Sequence, residues 1–238
     1  MQSIMKAIFP DAIDGDLLKL VHLSNGFRMV DGATPLTVGD KCSAEARVVS
    51  VVNSDSGKTV KVKGHVMRDG KPVVEVSSAF LYRGRFTDFE NTFEIVDEAD
   101  YEVLLDTDLK VGVLKAKDWF QWDDDSVPLE QGATLTFKVK SEVHYQDKTT
   151  YRKASVQGAA YIRDRTKALV QVATIDYEGG RSIGNPVVEY LKRQGQPTGL
   201  AVPLETGGYA LITDLASSTY TTPKTNEPYS KISGDYNP

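Results

Sequence analysis

The sequence predicts an α+β chain built on antiparallel sheets, and three observations carry that prediction. Residues 43–82 and residues 133–177 each read as three successive strand-like runs. Within each stretch the runs are joined by tight turns, and strands joined that way are antiparallel. Helical signals are short and few, so the helical crossovers that a doubly wound sheet or an α/β barrel needs are missing.

Taken in order, Asp16 stands where it would cap a short helix carrying Leu17, Leu20, Val21 and Leu23, with Gly26 soon after its end. The first meander runs from Ser43 to Asn53, then Thr59 to Met67, then Pro72 to Tyr82. Its turns are Asn53-Ser54-Asp55-Ser56-Gly57 and Asp69-Gly70, and the second supplies the positive φ values of a tight hairpin. Val60, Val62 and Val66 alternate with Lys61, Lys63 and His65, the period of a sheet with one dry and one wet face. Thr87-Asp88-Phe89-Glu90 has capping-box spacing, which predicts a helical turn with Phe89 and Phe93 on one face.

The second meander has longer strokes: Ala133 to Tyr145, Thr149 to Arg163 and Lys167 to Tyr177. The glycine-rich run Gly179 to Gly184 then leads to a helix from Pro186 to Arg193, with Asn185 as N-cap and Gly195 past its end. Gln194 to Gly208 reads as a linker, and the last thirty residues carry no helix signal.

At 238 residues the chain holds one to two domains, taking about 150 residues for each. Lys and Arg number 28 against 33 Asp and Glu, a formal charge of −5, with no basic run longer than two residues. That composition excludes a nucleic-acid footprint. Mean hydropathy is −0.31, and no stretch approaches the roughly 18 apolar residues of a membrane helix. Met1 to Pro10 has no small-residue cleavage site for secretion. The single Cys42 cannot form an internal disulfide, which points to the cytoplasm.

Gly180-Arg181-Ser182-Ile183-Gly184 matches the G-x-S-x-G elbow of serine hydrolases, between a strand and a helix as that motif requires. Yet His22, His65 and His144 all precede Ser182, whereas the elbow's histidine follows its serine. A glycine-rich turn is the expected role, and phosphate contact at the following helix N-terminus is the lesser alternative. The three histidines and Cys42 lack metal-ligand spacing, so no metal is expected. His65 is expected on a wet face, His22 in a core held by backbone, and His144 at a strand end without special chemistry. Asp123-Asp124-Asp125 reads as a solvated loop beside Trp119, Phe120 and Trp122.

The C-terminus carries more. Ser233-Gly234-Asp235-Tyr236-Asn237-Pro238 resembles the opening of S-G-D-x-N-P-x-H, the signature of MaoC-like hydratases and dehydratases of the hot-dog fold. Asp14 to Phe27, Tyr82-Arg83-Gly84 with Thr87 to Phe93, Gly184 to Val188, and Thr225-Asn226-Glu227-Pro228-Tyr229 resemble the dehydratase region of the fungal fatty acid synthase beta subunit. The resemblance implies tandem hot-dog units, each a curved antiparallel sheet around a helix: residues 1–97, residues 98–213, and from residue 214 the start of a catalytic unit. It implies removal of water from a 3-hydroxyacyl group on acyl carrier protein. Asp235 matches the family's acid, supported by Ser233, Gly234 and Asn237, and the family's histidine would fall two residues beyond Pro238.

The chain is therefore expected to be a piece of a larger multienzyme, inactive alone. Its expected partners are acyl carrier protein and other domains of the synthase, with no cofactor beyond the carrier's phosphopantetheine. Self-association through open sheet edges is a further expectation. The alternatives are a non-catalytic hot-dog scaffold, or a hot-dog thioesterase using a carboxylate such as Glu90.

Overall fold

The computed structural model describes residues 17–123, 127–198 and 231. A 3-10 turn, Leu17–Lys19, leads into β1 (Leu20–Met29), followed by β2 (Cys42–Asn53), β3 (Gly57–Arg68) and β4 (Lys71–Arg83). Two short strands, β5 (Phe93–Asp97) and β6 (Asp100–Leu104), precede helix α1 (Asp108–Lys115) and β7 (Phe120–Trp122). Then come β8 (Thr134–Tyr145), β9 (Tyr151–Arg163), β10 (Leu169–Gly179), α2 (Pro186–Gln194) and β11 (Gln196–Thr198). All pairings are antiparallel, in one sheet ordered β1-β4-β3-β2-β5-β8-β9-β10-β7, with β6 pairing β8 and β11. The α+β class and both meanders stand as the sequence indicated. Among the described residues no helix is long and apolar enough to cross a membrane.

Three local expectations need correction. The helix expected from Asp16 is instead β1, which pairs with β4 from Leu20↔Tyr82 to Met29↔Val74 around a bulge near Leu23. Leu20, Val21 and Leu23 fit a helical face nearly as well as a strand, and long-range pairing with β4 decides between them. The capping box at Thr87 also forms no helix among the described residues. There the side chains serve the sheet below: Lys58 Nζ binds Asp88 Oδ2 at 2.7 Å, Asn53 Nδ2 donates to the Asp88 carbonyl at 2.6 Å, and Thr92 Oγ1 donates to the Phe89 carbonyl at 2.7 Å. The third correction is α1, for which the sequence reading made no provision. Thr107 caps it, accepting from Lys110 N, and Val111 and Leu114 are buried beneath it.

The hairpin at Asp69-Gly70 has φ values of 52° and 73°, the left-handed pair that a two-residue turn requires. At Gly158 the constraint is contact: a Cβ would lie 2.1 Å from the Lys138 carbonyl oxygen, so β9 approaches β8 there only because glycine has no side chain.

Cross-strand partners project from the same face of a sheet. Val51, Phe93 and His144 are partners across β2, β5 and β8, and so are Ser50, Glu94 and Val143. The first row continues the face of Val60 and Phe80, which with Val62 and Tyr82 form a first core joined by Leu20, Val48, Phe86 and Phe93. The second row continues the face of Leu135, Phe137 and Val139, where a larger core gathers α1, α2, Trp119, Phe120, Val156, Ala160 and Ile175. The two cores therefore lie on opposite sides of one continuous sheet, with β5 as the seam.

Helix α2 matches the sequence expectation. Asn185 Oδ1 accepts from Val187 N at 3.2 Å and Val188 N at 3.3 Å, and Val187, Val188 and Leu191 face the core. Replacing Asn185 by Ala should lower stability by about 1 kcal/mol. Asn185→Ser should cost less, because a serine keeps the cap and removes a buried Nδ2 that has no partner. Urea midpoints of the two variants check this ranking.

Candidate functional site

Asp235, with Ser233, Gly234 and Asn237, lies outside the described residues, as do Asp16, Asp124, Asp125, the block Thr225 to Tyr229 and, apart from Lys231, the unit expected from residue 214. The described residues place Ser182, the three histidines, Glu90, Asp123 and the aromatic run from Trp119.

The Gly180–Gly184 run is a turn. Ser182 forms a bridge with Tyr151 through both backbone groups, at 2.9 and 3.1 Å. Its Oγ donates to the Gly184 carbonyl at 3.2 Å, so the hydroxyl is engaged by its own loop. Gly184 has φ +84° and delivers the chain to the Asn185 cap. This geometry accounts for Gly184 as a turn residue leading to the cap.

Each histidine has a local partner. The His22 ring stacks on Phe80 at 5.0 Å, and its Nε2 donates to the Ser24 carbonyl at 3.1 Å. It is only partly covered, on the edge strand, so the core position expected for it becomes a rim position. His65 lies on the wet face as expected, 3.7 Å from Glu45 and 3.8 Å from Glu75. His144 Nε2 is 2.8 Å from Glu142 Oε1, with the Phe93 ring 6.0 Å away. Glu90 is exposed, and its backbone carbonyl accepts from Arg152 Nη2 at 3.2 Å. Asp123 accepts from Thr174 Oγ1 at 2.5 Å and so fastens the end of β7 to β10. Trp119 packs on Tyr190 at 5.4 Å inside the larger core, so that aromatic run is structural.

What the fold does assemble is a polar seam along β5. Tyr145 Oη donates to Glu94 Oε2 at 3.1 Å, and Ser141 Oγ donates to Glu98 Oε1 at 2.5 Å. Burial, then the charge of Glu94, raises the Tyr145 phenol far above its ordinary value, so it stays a donor at any physiological pH. Lys63 Nζ reaches Glu75 at 3.1 Å and Asp97 at 3.0 Å, and Lys148 pairs with Asp55 between the turns of the two meanders. These contacts fix the second meander against the first. Apart from Lys63–Glu75, each joins residues at least 34 positions apart, so sequence spacing holds no sign of them.

The seam has a pH signature. Burial pushes the Asp97 carboxyl up, but the hydrogen bond and charge of Lys63, with the charges of Lys140 and Arg47, outweigh it and hold the group below its ordinary 3.8. Burial likewise pulls Lys63 down, and Asp97 and Glu75 overcome it and raise the amine above 10.5. A depressed carboxyl adds stability that is fully present above its ordinary value and is lost as pH falls through the lowered one. The lysine's contribution is present below 10.5 and is lost as pH rises through the raised value. Asp97→Asn should therefore lower the urea midpoint near neutrality and leave it closer to wild type in strong acid. An equal difference at both would show that Asp97 acts through packing alone.

Two family models match the chain. Residues 1–84 fit the MFE-2 hydratase 2 N-terminal domain, and residues 93–191 fit the insertion domain of fatty acid synthase subunit beta. They meet at the 84–93 loop, immediately before β5. The chain is 50% identical over 240 residues to the fatty acid synthase subunit beta of Schizosaccharomyces pombe, with all of this chain and 12% of that subunit covered. It is 46% identical over 237 residues to the Saccharomyces cerevisiae subunit, covering all of this chain and 11% of that one. Against the fatty acid synthase beta subunit TOXC of Cochliobolus carbonum the identity is 39% over 243 residues, with the same two coverages, 100% and 11%. The chain thus spans about one-eighth or less of the length of these relatives. Matched along its whole length by all three, it belongs to the fatty acid synthase beta subunit family.

Proposed function

We propose that this chain is the supporting part of a 3-hydroxyacyl-[acyl-carrier-protein] dehydratase, acting in fatty acid biosynthesis within a cytoplasmic multienzyme. The observation that carries this reading is the match over the whole chain to fatty acid synthase beta subunits, together with the hydratase-type model over residues 1–84. In it, residues 1–97 and 98–213 are two hot-dog units, and residues from 214 open a third that bears the chemistry.

Dehydration needs two titrating groups. A base takes the weakly acidic α-proton while the thioester carbonyl is polarised, and an acid protonates the departing hydroxyl so that it leaves as water. Asp235 is assigned the acid role, with Gly234 permitting a tight turn and Ser233 and Asn237 orienting neighbours through hydrogen bonds. The base is the histidine that follows this motif in the family. Acyl carrier protein presents the acyl chain on its phosphopantetheine, and the remaining synthase domains are the structural partners.

The described residues favour a scaffolding role for the two units themselves. His22, His65 and His144 are each held by partners on their own patch of sheet, and Ser182 is tied to its own turn. The test compares dehydration of a 3-hydroxyacyl thioester by the 238-residue chain with that of a longer chain carrying the rest of the third unit. Turnover is expected only from the longer chain. Appreciable turnover by the shorter one would overturn the assignment of the base. Measurable affinity of the shorter chain for an acyl-pantetheine analogue would show that its units contribute to the substrate site as well as supporting it.

A further inference from the structure

We infer that residues 84–92 are a strap, latched by the Lys58–Asp88 ion pair, that joins the two halves of the sheet into one cooperative unit. The ladder between the first half, β1–β4, and the second, β6–β10, is narrow. Strands β2 and β5 register at Ser50↔Glu94 and Val51↔Phe93, whereas β2 and β3 register from Cys42↔Arg68 to Asn53↔Lys58. No shared core backs that neck among the described residues, because the smaller core draws on residues 20–93 and the larger on residues 99–191. Two ion pairs that cross it, Lys63 with Asp97 and Lys148 with Asp55, each leave at least one partner more than half exposed, and pairs in water contribute little.

The strap is held at both ends. At its start Phe86 packs on the smaller core, and the Lys58 amine lies 4.7 Å from that ring and 2.7 Å from Asp88 Oδ2. Asn53 Nδ2 adds a bond to the Asp88 carbonyl at 2.6 Å. At its end two donors come from the second half: Arg152 Nη2 to the Glu90 carbonyl at 3.2 Å, and Tyr145 N to the Thr92 carbonyl at 3.1 Å. The latch is asymmetric, because the Lys58 side chain is sealed while that of Asp88 is 44% exposed. An ammonium out of water needs its counter-charge, so Asp88 is drawn down onto it and the strap comes with it. Without that charge, the strap beyond Phe86 is held by hydrogen bonds that water can replace.

This inference is independent of the catalytic reading, since it concerns cooperativity within the chain and no step of the reaction. Removing Asp88 alone would strand a buried charge and weaken the smaller core directly. The test is therefore Lys58→Met together with Asp88→Asn, which removes the pair and leaves an apolar side chain in the sealed position. Both tryptophans, Trp119 and Trp122, lie in the second half, so their fluorescence follows that half while far-ultraviolet circular dichroism follows the whole sheet. In the unaltered chain the two urea transitions should coincide, and in the double variant they should separate. Trypsin should cut the double variant after the exposed Arg85 at least about tenfold faster, since cleavage of a folded chain follows the population of its open form. Lys138→Met with Asp100→Asn, which removes an ion pair inside the second half, should change neither readout. Hydrogen exchange on the unaltered chain gives a readout that requires no variant: the amides of Thr92 and Tyr145 should exchange as slowly as those at the centres of β3 and β9. Transitions already apart in the unaltered chain, a double variant with coincident transitions and wild-type resistance to trypsin, or strap amides that exchange faster than the strands would each overturn the inference.

Discussion

Asp235→Asn, introduced into the complete synthase subunit, is expected to slow dehydration of the 3-hydroxyacyl thioester by about 10²–10⁴, the usual range for losing a positioned proton donor. The substitution removes one ionisable proton and keeps shape and hydrogen-bonding capacity, so folding and assembly should be unaffected. The loss should fall on kcat with little change in KM, since the proton transfer matters in the transition state and not in holding the acyl chain. The pH dependence should change too: the limb of the rate profile that reports the carboxyl should vanish, leaving the limb that reports the base. A variant that keeps wild-type turnover would remove Asp235 from the reaction. One that loses turnover and assembly together would assign it to the fold.

Phe137→Ala is expected to destabilise the chain by about 3–5 kcal/mol, against total stabilities of about 5–15 kcal/mol for ordinary domains. Phe137 is fully buried in the first half of β8, paired with Tyr101 on β6 and Ala160 on β9, with the Phe120 ring 6.3 Å away. Those neighbours come from three strands of one sheet, and a sheet cannot collapse inward to refill a ring-sized void as a loop can. Phe27→Ala provides the contrast. With that ring 71% exposed, its removal should shift stability by no more than about 0.5 kcal/mol. Urea titration of both variants is the measurement, and comparable losses at the two positions would contradict the placement of the larger core.

Much of the fold was legible because its signals are local. The alternation of Val60, Val62 and Val66 with Lys61, Lys63 and His65 set the two faces of β3, and Val60 and Val62 are essentially sealed, while Val66, nearer the strand's end, is half-buried. The Asp69-Gly70 turn and the Asn185 cap each depend on one or two residues and a fixed backbone geometry, and both appear as read. The same alternation extends to Lys58. Counting back from Val60 puts Lys58 on the dry face, and its side chain is fully buried, paired with Asp88 and stacked against Phe86 at 4.7 Å. Once Lys58 is buried, Asp88 must come down to meet it, and the loop after Gly84 cannot wind into the helix that its capping-box spacing suggests.

Composition and period determined that this chain is a globular antiparallel α+β protein with two meanders, since alternation and turn chemistry act within a few residues. The motif blocks determined its family, because order and identity along the chain need no coordinates. Tertiary structure alone decided that β1 is a strand, that β5 joins the meanders into one sheet, and that their cores lie on opposite sides of it. Those outcomes rest on pairings between residues 42 to 62 positions apart, where the energy of burial and of a completed hydrogen-bond ladder outweighs any local preference.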